Sequence, residues 1–293
     1  MIQKNTLITL AFFISLNIFS NQTDKLVLPT GFNIEIFADN LLSPRQITET
    51  KDGYIVVGSK NGDKIYALSD KDKDGFAEEK YIIASDLKNP TGVTYHDGDL
   101  YFSEIEDIWV IKNIDSWLQT NKKSIPNKES FIKNLPSETW HGFRHIRFGP
   151  DDNLYLPIGV PCNVCTEPQA KDERFAAIHR YENGELVMVA DGVRNSVGID
   201  WHPITKNLYF SDNGRDWLGD NTPSCELNVV IEEGSFYGFP YKHAKNVIDP
   251  EFGKLIPALD KEFIDPIAEL GPHVAPLGIE FYDGKKFPQE YHN

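Results

Sequence analysis

GIDWHPITKNLYFSD, residues 198–212, decides the fold: a short apolar run, a turn carrying Pro, Lys and Asn, then an aromatic-centred run. The same order of parts recurs in GVTYHDGDLYFSE (92–104) and IRFGPDDNLYLPIG (146–159), with a weaker copy in ITETKDGYIVVGS (47–59). The central tyrosines are Tyr54, Tyr101, Tyr155 and Tyr209, separated by 47, 54 and 54 residues. A period of about 50 residues with several short strands per unit is the pattern of propeller blades. One blade cannot bury both of its faces. Blades therefore pack on one another around a channel, and the loops at the channel mouth carry function.

Outward from these copies the pattern holds. Apolar runs such as Tyr54–Val57, Leu100–Phe102, Leu154–Pro157 and Leu208–Ser211 alternate with Gly, Asp, Asn and Pro clusters, so the fold class is all-β. Only Ile114–Gln119 and part of Pro168–Ala177 read as helical. A fifth copy begins at GIEFYDGKKFP (278–288), and the chain ends at Asn293. The expectation is about four blades and part of a fifth over residues 22–293, incomplete at the C-terminus. Segment 230–277, rich in Gly, Pro and aromatics, reads as a loop insertion over one face.

Composition narrows the function. The 293 residues are 40% hydrophobic and 25% charged, with a net charge of −15. No window is strongly basic, which argues against nucleic acid and against anionic membrane surfaces as partners. A neutral sugar or alcohol would not be repelled. Lys4 followed by the apolar run Leu7–Phe19 and Ser20 reads as a secretory signal over residues 1–21. That run is shorter than the ~20 residues of a membrane span. The expectation is export to the periplasm or beyond, with no membrane insertion after cleavage. Cys162, Cys165 and Cys225 allow one structural disulfide, its pairing open. The CxxC at 162–165 is followed by Thr166, so no haem-attachment motif is present.

Three motifs could carry chemistry. In TWHGFRHIRFGPDDNLY (139–155), His141 stands just ahead of a blade strand, where an inter-blade loop reaches the channel mouth. It suits a general base, or equally a structural histidine bonded to a backbone carbonyl. In GVRNSVGIDWHP (192–203), Arg194 and Asn195 take the matching place in the next repeat; a guanidinium beside an amide suits a planar anion or a developing oxyanion. SDNGRDWLGDNTPSCELN (211–228) offers carboxylates and carbonyls to a hard cation, or is an ordinary polar loop. DKDKDG (70–75) copies half of a calcium loop, but its twelfth position is Tyr81, so it reads as a solvated hairpin turn. Trp140, Trp201 and Trp217 lie near these loops and suit stacking or core packing alike.

Taken in order, HGFRHIRFGPDDNLYLPIG, RNSVGIDWHP and YFSDNGRDWLGD, followed by ELN and YGFPY, resemble the pyrroloquinoline quinone (PQQ)-dependent glucose/sorbosone dehydrogenase family, its sorbosone dehydrogenase-like branch in particular, over Pro29 to Asn293. The resemblance implies a six-bladed β-propeller of four-stranded antiparallel blades, with PQQ and calcium at the channel mouth. It implies His141 as general base, Arg194 as the group polarising the quinone carbonyl, Asn195 and Asn213 as cofactor contacts, and the backbone carbonyls of Gly214 and Arg215 as calcium ligands. The implied reaction is oxidation of an aldose or related alcohol or aldehyde, with electrons leaving to a separate acceptor. Two residues depart from the glucose dehydrogenase pattern: Cys225 replaces an acid beside the cofactor, and Arg215 replaces a proline. The family's further basic cofactor contacts would fall beyond Asn293. The alternative is a non-catalytic binding or scaffold propeller that keeps the fold only. A metal-dependent lactonase-like propeller would need several carboxylates converging in the channel, and no such set is evident in the sequence.

Overall fold

The computed structural model describes residues 25–120 and 122–291, so the expected signal over residues 1–21 lies outside the described residues. These fall into two units, one ending at Glu35 and one beginning at Ile36, and every strand lies in the second. Four sheets follow one another along that unit. The first is β1 (Pro44–Glu49), β2 (Ile55–Ser59), β3 (Ile65–Ser69) and β4 (Glu79–Ala84), paired in that order. The second is β5 (Val93–His96), β6 (Asp99–Ser103), β7 (Ile108–Ile111) and, after helix α1 (Ile114–Thr120), β8 (Glu129–Ile132). The third is β9 (Arg147–Phe148), β10 (Leu154–Ile158), then helix α2 (Glu167–Lys171), β11 (Ala177–Glu182) and β12 (Glu185–Asp191). The fourth opens with β13 (Gly198–Trp201), β14 (Leu208–Asp212) and β15 (Ser224–Val229). Each is an antiparallel meander, so the all-β, propeller-like reading holds and both helices stand where expected. Among the described residues none of the helices is long and apolar enough to cross a membrane.

The described residues form four blades, and the six that the resemblance implied are not confirmed among them. One expectation is corrected. Segment 230–277 is more than a loop insertion. It supplies β16 (Ser235–Phe236), which adds parallel to β12 as a fifth strand of the third blade. It then forms the hairpin β17 (Lys242–His243) and β18 (Val247–Ile248), and finally β19 (Ala268–Pro272), which is the outer strand of the fourth blade. β19 itself, AELGP, has only one large apolar residue, so no alternating run betrays it in the sequence.

The core lies between blades, as the alternation of strand side chains requires. Along β6, Leu100 and Phe102 pack with Val56, Ile65 and Ile83 of the first blade, while Tyr101 turns to Leu154 and Ile158 of the third. Along β10, Leu154, Leu156 and Ile158 face the second blade, while Tyr155 packs with Ile199 and Phe210 of the fourth. Tyr101 and Tyr155 are therefore the side chains that the second strands of the second and third blades give to the next blade. Each fully buried Leu, Ile or Phe contributes roughly 1.5–3 kcal/mol by leaving water.

A hydrogen bond repeats across these interfaces. Ser103 Oγ donates to the carbonyl of Arg144, and Ser211 Oγ to that of Leu277, at 2.9 and 2.7 Å. Glycine stands just ahead of the inner strand at Gly92, where a Cβ would stand 2.3 Å from the Arg144 oxygen. Residues 277–281 thus meet the fourth blade in the register in which the third meets the second, although none of them is in a strand. Gly92 N–H also donates to Ser103 Oγ at 2.9 Å. Ser103→Ala should cost roughly 1–3 kcal/mol, since it orphans a buried donor and removes a bond to a buried acceptor. A urea midpoint would show it; an unchanged midpoint would mean the blades are held by apolar contact alone.

Candidate functional site

The inner strands surround a cavity of about 460 Å³, lined by Gln46, Thr91, His145, Arg147, Val197 and Glu280 among others. The loops that feed β9 and β13 carry His141 and the Arg194–Asn195 pair. Neither His141 nor Arg194 lines the cavity, but Phe143 and Val197, two and three residues further along their loops, do. Asn195 and His141 meet against Gly159, just past the end of β10. A Cβ there would stand 2.7 Å from Asn195 Oδ1 and 2.8 Å from His141 Cβ. Glycine is what lets the two loops converge.

His141 has a left-handed backbone, φ +54°. Its Nδ1 lies 2.6 Å from the Val160 carbonyl, which can only accept, so the proton sits on Nδ1 and the lone pair on Nε2. The Trp140 indole N–H donates to that lone pair at 3.1 Å, from a ring 54% exposed. Burial, and then the charge of Arg194, push the histidine pKa down to about 4. It is neutral at physiological pH, with a basic nitrogen. His145, in the same motif, has a buried Nε2 with no partner and is likewise pushed down, to about 3, by burial.

Arg194 is 4% exposed and held on three sides. Its Nε donates to the Asn163 carbonyl (2.8 Å), Nη2 to Asn163 Oδ1 (3.1 Å) and Nη1 to the Asn213 carbonyl (3.0 Å). One N–H on each Nη has no acceptor among the described residues, and the Asn195 side-chain amide has no hydrogen-bond partner among them. The backbone turn beneath is set by Asp212, whose carboxylate accepts the N–H groups of Arg194 (2.8 Å) and Asn195 (2.6 Å). Asn213 is tied back by its Nδ2 to the carbonyls of Asn195 and Pro276, both at 3.0 Å.

Gly214 and Arg215 follow. No donor among the described residues hydrogen-bonds to their carbonyls. The Arg215 side chain turns away into a buried ion pair with Asp249, which also meets His243 Nε2 at 2.9 Å. Cys162 pairs with Cys165, which answers the open question, and Cys225 is a buried free thiol whose Sγ lies 3.4 Å from the Gly214 N–H. The acidic hairpin between β3 and β4 brings Asp70, Asp72, Asp74 and Glu78 together on the surface, away from this site.

The structure adds residues that the sequence reading passed over: Asn163, Asp212 and Glu226. Asp212 and Glu226 are cross-strand partners on β14 and β15. Burial drives both carboxyls upward, and for Glu226 the neighbouring Asp212 adds to it. Two buried carboxyls side by side resist double ionisation. A raised folded pKa means that the folded state holds a proton the unfolded state releases. Its contribution to stability is therefore lost as pH rises from the ordinary carboxylate range through the raised value. Relative to wild type, Glu226→Gln should gain stability at pH 8 compared with pH 5; thermal midpoints at the two pH values would show it, and a parallel shift at both would refute it.

A family model described as a domain of unknown function, DUF7133, matches residues 49–293. The chain belongs to the DUF7133 family. An uncharacterized protein of Borreliella burgdorferi is 39% identical over 296 residues, covering 98% of this DUF7133 chain and 76% of the relative. Among solved structures, the calcium structure of a Trichoderma reesei enzyme of carbohydrate-active enzymes family AA12 superposes with a TM-score of 0.72 at 20% identity, over 87% of this chain and 74% of that one. The holo PQQ domain of Coprinopsis cinerea pyranose dehydrogenase gives 0.68 at 16%, over 84% and 69%. At these identities the DUF7133 chain shares their fold.

Proposed function

We propose that this chain is an exported PQQ- and calcium-dependent oxidoreductase that oxidises an aldose or a related alcohol or aldehyde and passes electrons to a separate acceptor. The observation that carries the reading is the convergence, against Gly159, of a neutral histidine of fixed tautomer with Asn195 from the next repeat, whose neighbour Arg194 is tied to the same Val160 that holds the histidine. A scaffold propeller has no need of that arrangement.

The donor set fits the cofactor. Arg194 presents two uncommitted N–H groups and Asn195 an uncommitted amide, which suits an acceptor-rich planar acid. The carbonyls of Gly214 and Arg215 suit a hard cation. When bound, PQQ supplies a quinone able to take a hydride, with calcium as Lewis acid. The protein's share is local. Val160 holds the imidazole tautomer. Nε2 takes the proton of a substrate hydroxyl, which replaces the Trp140 indole N–H as its partner. The Arg194 charge, little screened in a nearly buried site, lowers the cost of negative charge beside it.

The test is titration of the folded chain with PQQ, with and without calcium, followed by tryptophan fluorescence and by dye reduction on a panel of aldoses. Calcium-dependent quinone binding with sugar-driven dye reduction is expected. A folded chain that binds no quinone overturns the proposal and leaves the scaffold reading.

A further inference from the structure

The segment that leaves β10 toward helix α2 holds both halves of the site. Val160 gives its carbonyl to His141 Nδ1, and its own N–H donates to the Arg194 carbonyl at 3.1 Å. Two residues on, the Cys162–Cys165 disulfide closes a small ring around Asn163 and Val164. The ring is seated on Val160, Ala176 and Phe239.

Asn163 is 8% exposed, and its carbonyl and both side-chain polar atoms are used. Its carbonyl accepts from Arg194 Nε at 2.8 Å. Its Oδ1 accepts from Arg194 Nη2 at 3.1 Å and from the Asp216 N–H at 2.8 Å. Its Nδ2 donates to the Asp216 carbonyl at 3.0 Å. One residue thus grips two edges of the guanidinium. It also fixes the segment after β14 that carries Asn213, the remaining acceptor of Arg194. An arginine side chain has many rotamers, and a fork of acceptors selects one only if the fork itself is rigid. A loop of this length has no strand partner at residues 161–165, so its rigidity must come from the crosslink and its apolar seat.

We infer that Asn163, held in the ring closed by Cys162 and Cys165, is the positioning residue that orients the Arg194 guanidinium. Its effect on turnover rests on the quinone reading above; the orientation itself does not. Asn163 touches no reacting atom and acts through Arg194.

Two readouts separate these claims. The first needs no cofactor: hydrogen exchange of the Arg194 Nε–H, observed by NMR on arginine-labelled protein and assigned by its disappearance in Arg194→Lys. Asn163→Ala removes the Nη2 acceptor and leaves, of the two that residue 163 supplies, only the carbonyl that holds Nε, so the guanidinium is freer to turn. That exchange should speed by about tenfold or more at a temperature where the variant remains folded, and Asn163→Asp, which keeps both acceptors, should restore protection to within about threefold. Cys162→Ser/Cys165→Ser, and reduction of the folded wild-type chain by a phosphine, should each speed it as well. The second readout is steady-state kinetics with PQQ and calcium: Asn163→Ala should lower kcat by about tenfold while the sugar KM stays within about twofold.

Unchanged Nε–H exchange in Asn163→Ala overturns the inference. Should that variant fail to fold, phosphine reduction of the wild-type chain decides instead, and exchange unaffected by reduction overturns it equally. If the wild-type chain binds no PQQ, the quinone reading falls, and the exchange data alone decide whether Asn163 positions Arg194.

Discussion

Replacing His141 by glutamine should lower kcat for sugar oxidation by about 10²- to 10⁴-fold, the usual share of a general base. Quinone affinity should change far less, because Arg194, Asn195 and Asn213 keep their own supports. The pH profile supplies a second check. The imidazole acts only when unprotonated, and burial together with Arg194 holds its pKa at about 4. Activity should therefore persist through mildly acidic pH and fall only as His141 takes its proton. An acid limb of kcat/KM at the ordinary histidine value of about 6.5 would assign the base to another group. Full activity in the glutamine variant would remove His141 from the mechanism.

Arg144 should give the largest loss of stability. It is 1% exposed, and its guanidinium donates to three backbone carbonyls: Ile105 at 3.1 Å, Pro136 at 2.6 Å and His141 at 3.4 Å. These lie in the second blade and in the segment that enters the third, so one side chain stitches the two together. Burial lowers its pKa to about 10, which leaves it charged at neutral pH. Arg144→Met keeps much of the volume and removes every donor. With each orphaned buried acceptor costing about 1–3 kcal/mol, the loss should be roughly 3–5 kcal/mol. Arg144→Lys should recover only part of it, since one ammonium cannot reach acceptors spread around a planar fork. Denaturant unfolding measures both, and a loss below about 1 kcal/mol in Arg144→Met would show that water takes over the three carbonyls.

The blades were legible because their strands announce themselves locally. Tyr101 and Tyr155 fall at the same place in a repeated run, and period-two alternation assigns their neighbours to opposite faces. β19 was not legible: Ala268–Pro272 carries a single large apolar residue, Leu270, and joins its sheet only through pairing with distant β15. At the site, His141, Arg194 and Asn195 could be read from their matching places ahead of successive strands. Asn163 and Glu226 could not. Asn163 lies between two cysteines that draw attention to the disulfide, and Glu226 is one acid among many until strand register sets it opposite Asp212. Asp212 stood inside a quoted motif, but its task, holding two backbone N–H groups, leaves no mark in residue type. The disulfide partner of Cys162 required coordinates because three cysteines allow three pairings.

The late arrival of β19 has a consequence for how the chain is made. The four-stranded meanders of the first three blades are built from strands that follow one another, so each can assemble soon after it leaves the ribosome, and only β16 joins the third later. The fourth cannot. β15 ends at Val229, and its outer partner begins only at Ala268. Until then β15 presents a bare row of amides and carbonyls, an edge open to wrong pairing. Meanwhile β16 caps the third blade at once. During synthesis, then, the segment bearing Cys225, Glu226 and the rear of the site is the last part of these four blades to be sheltered.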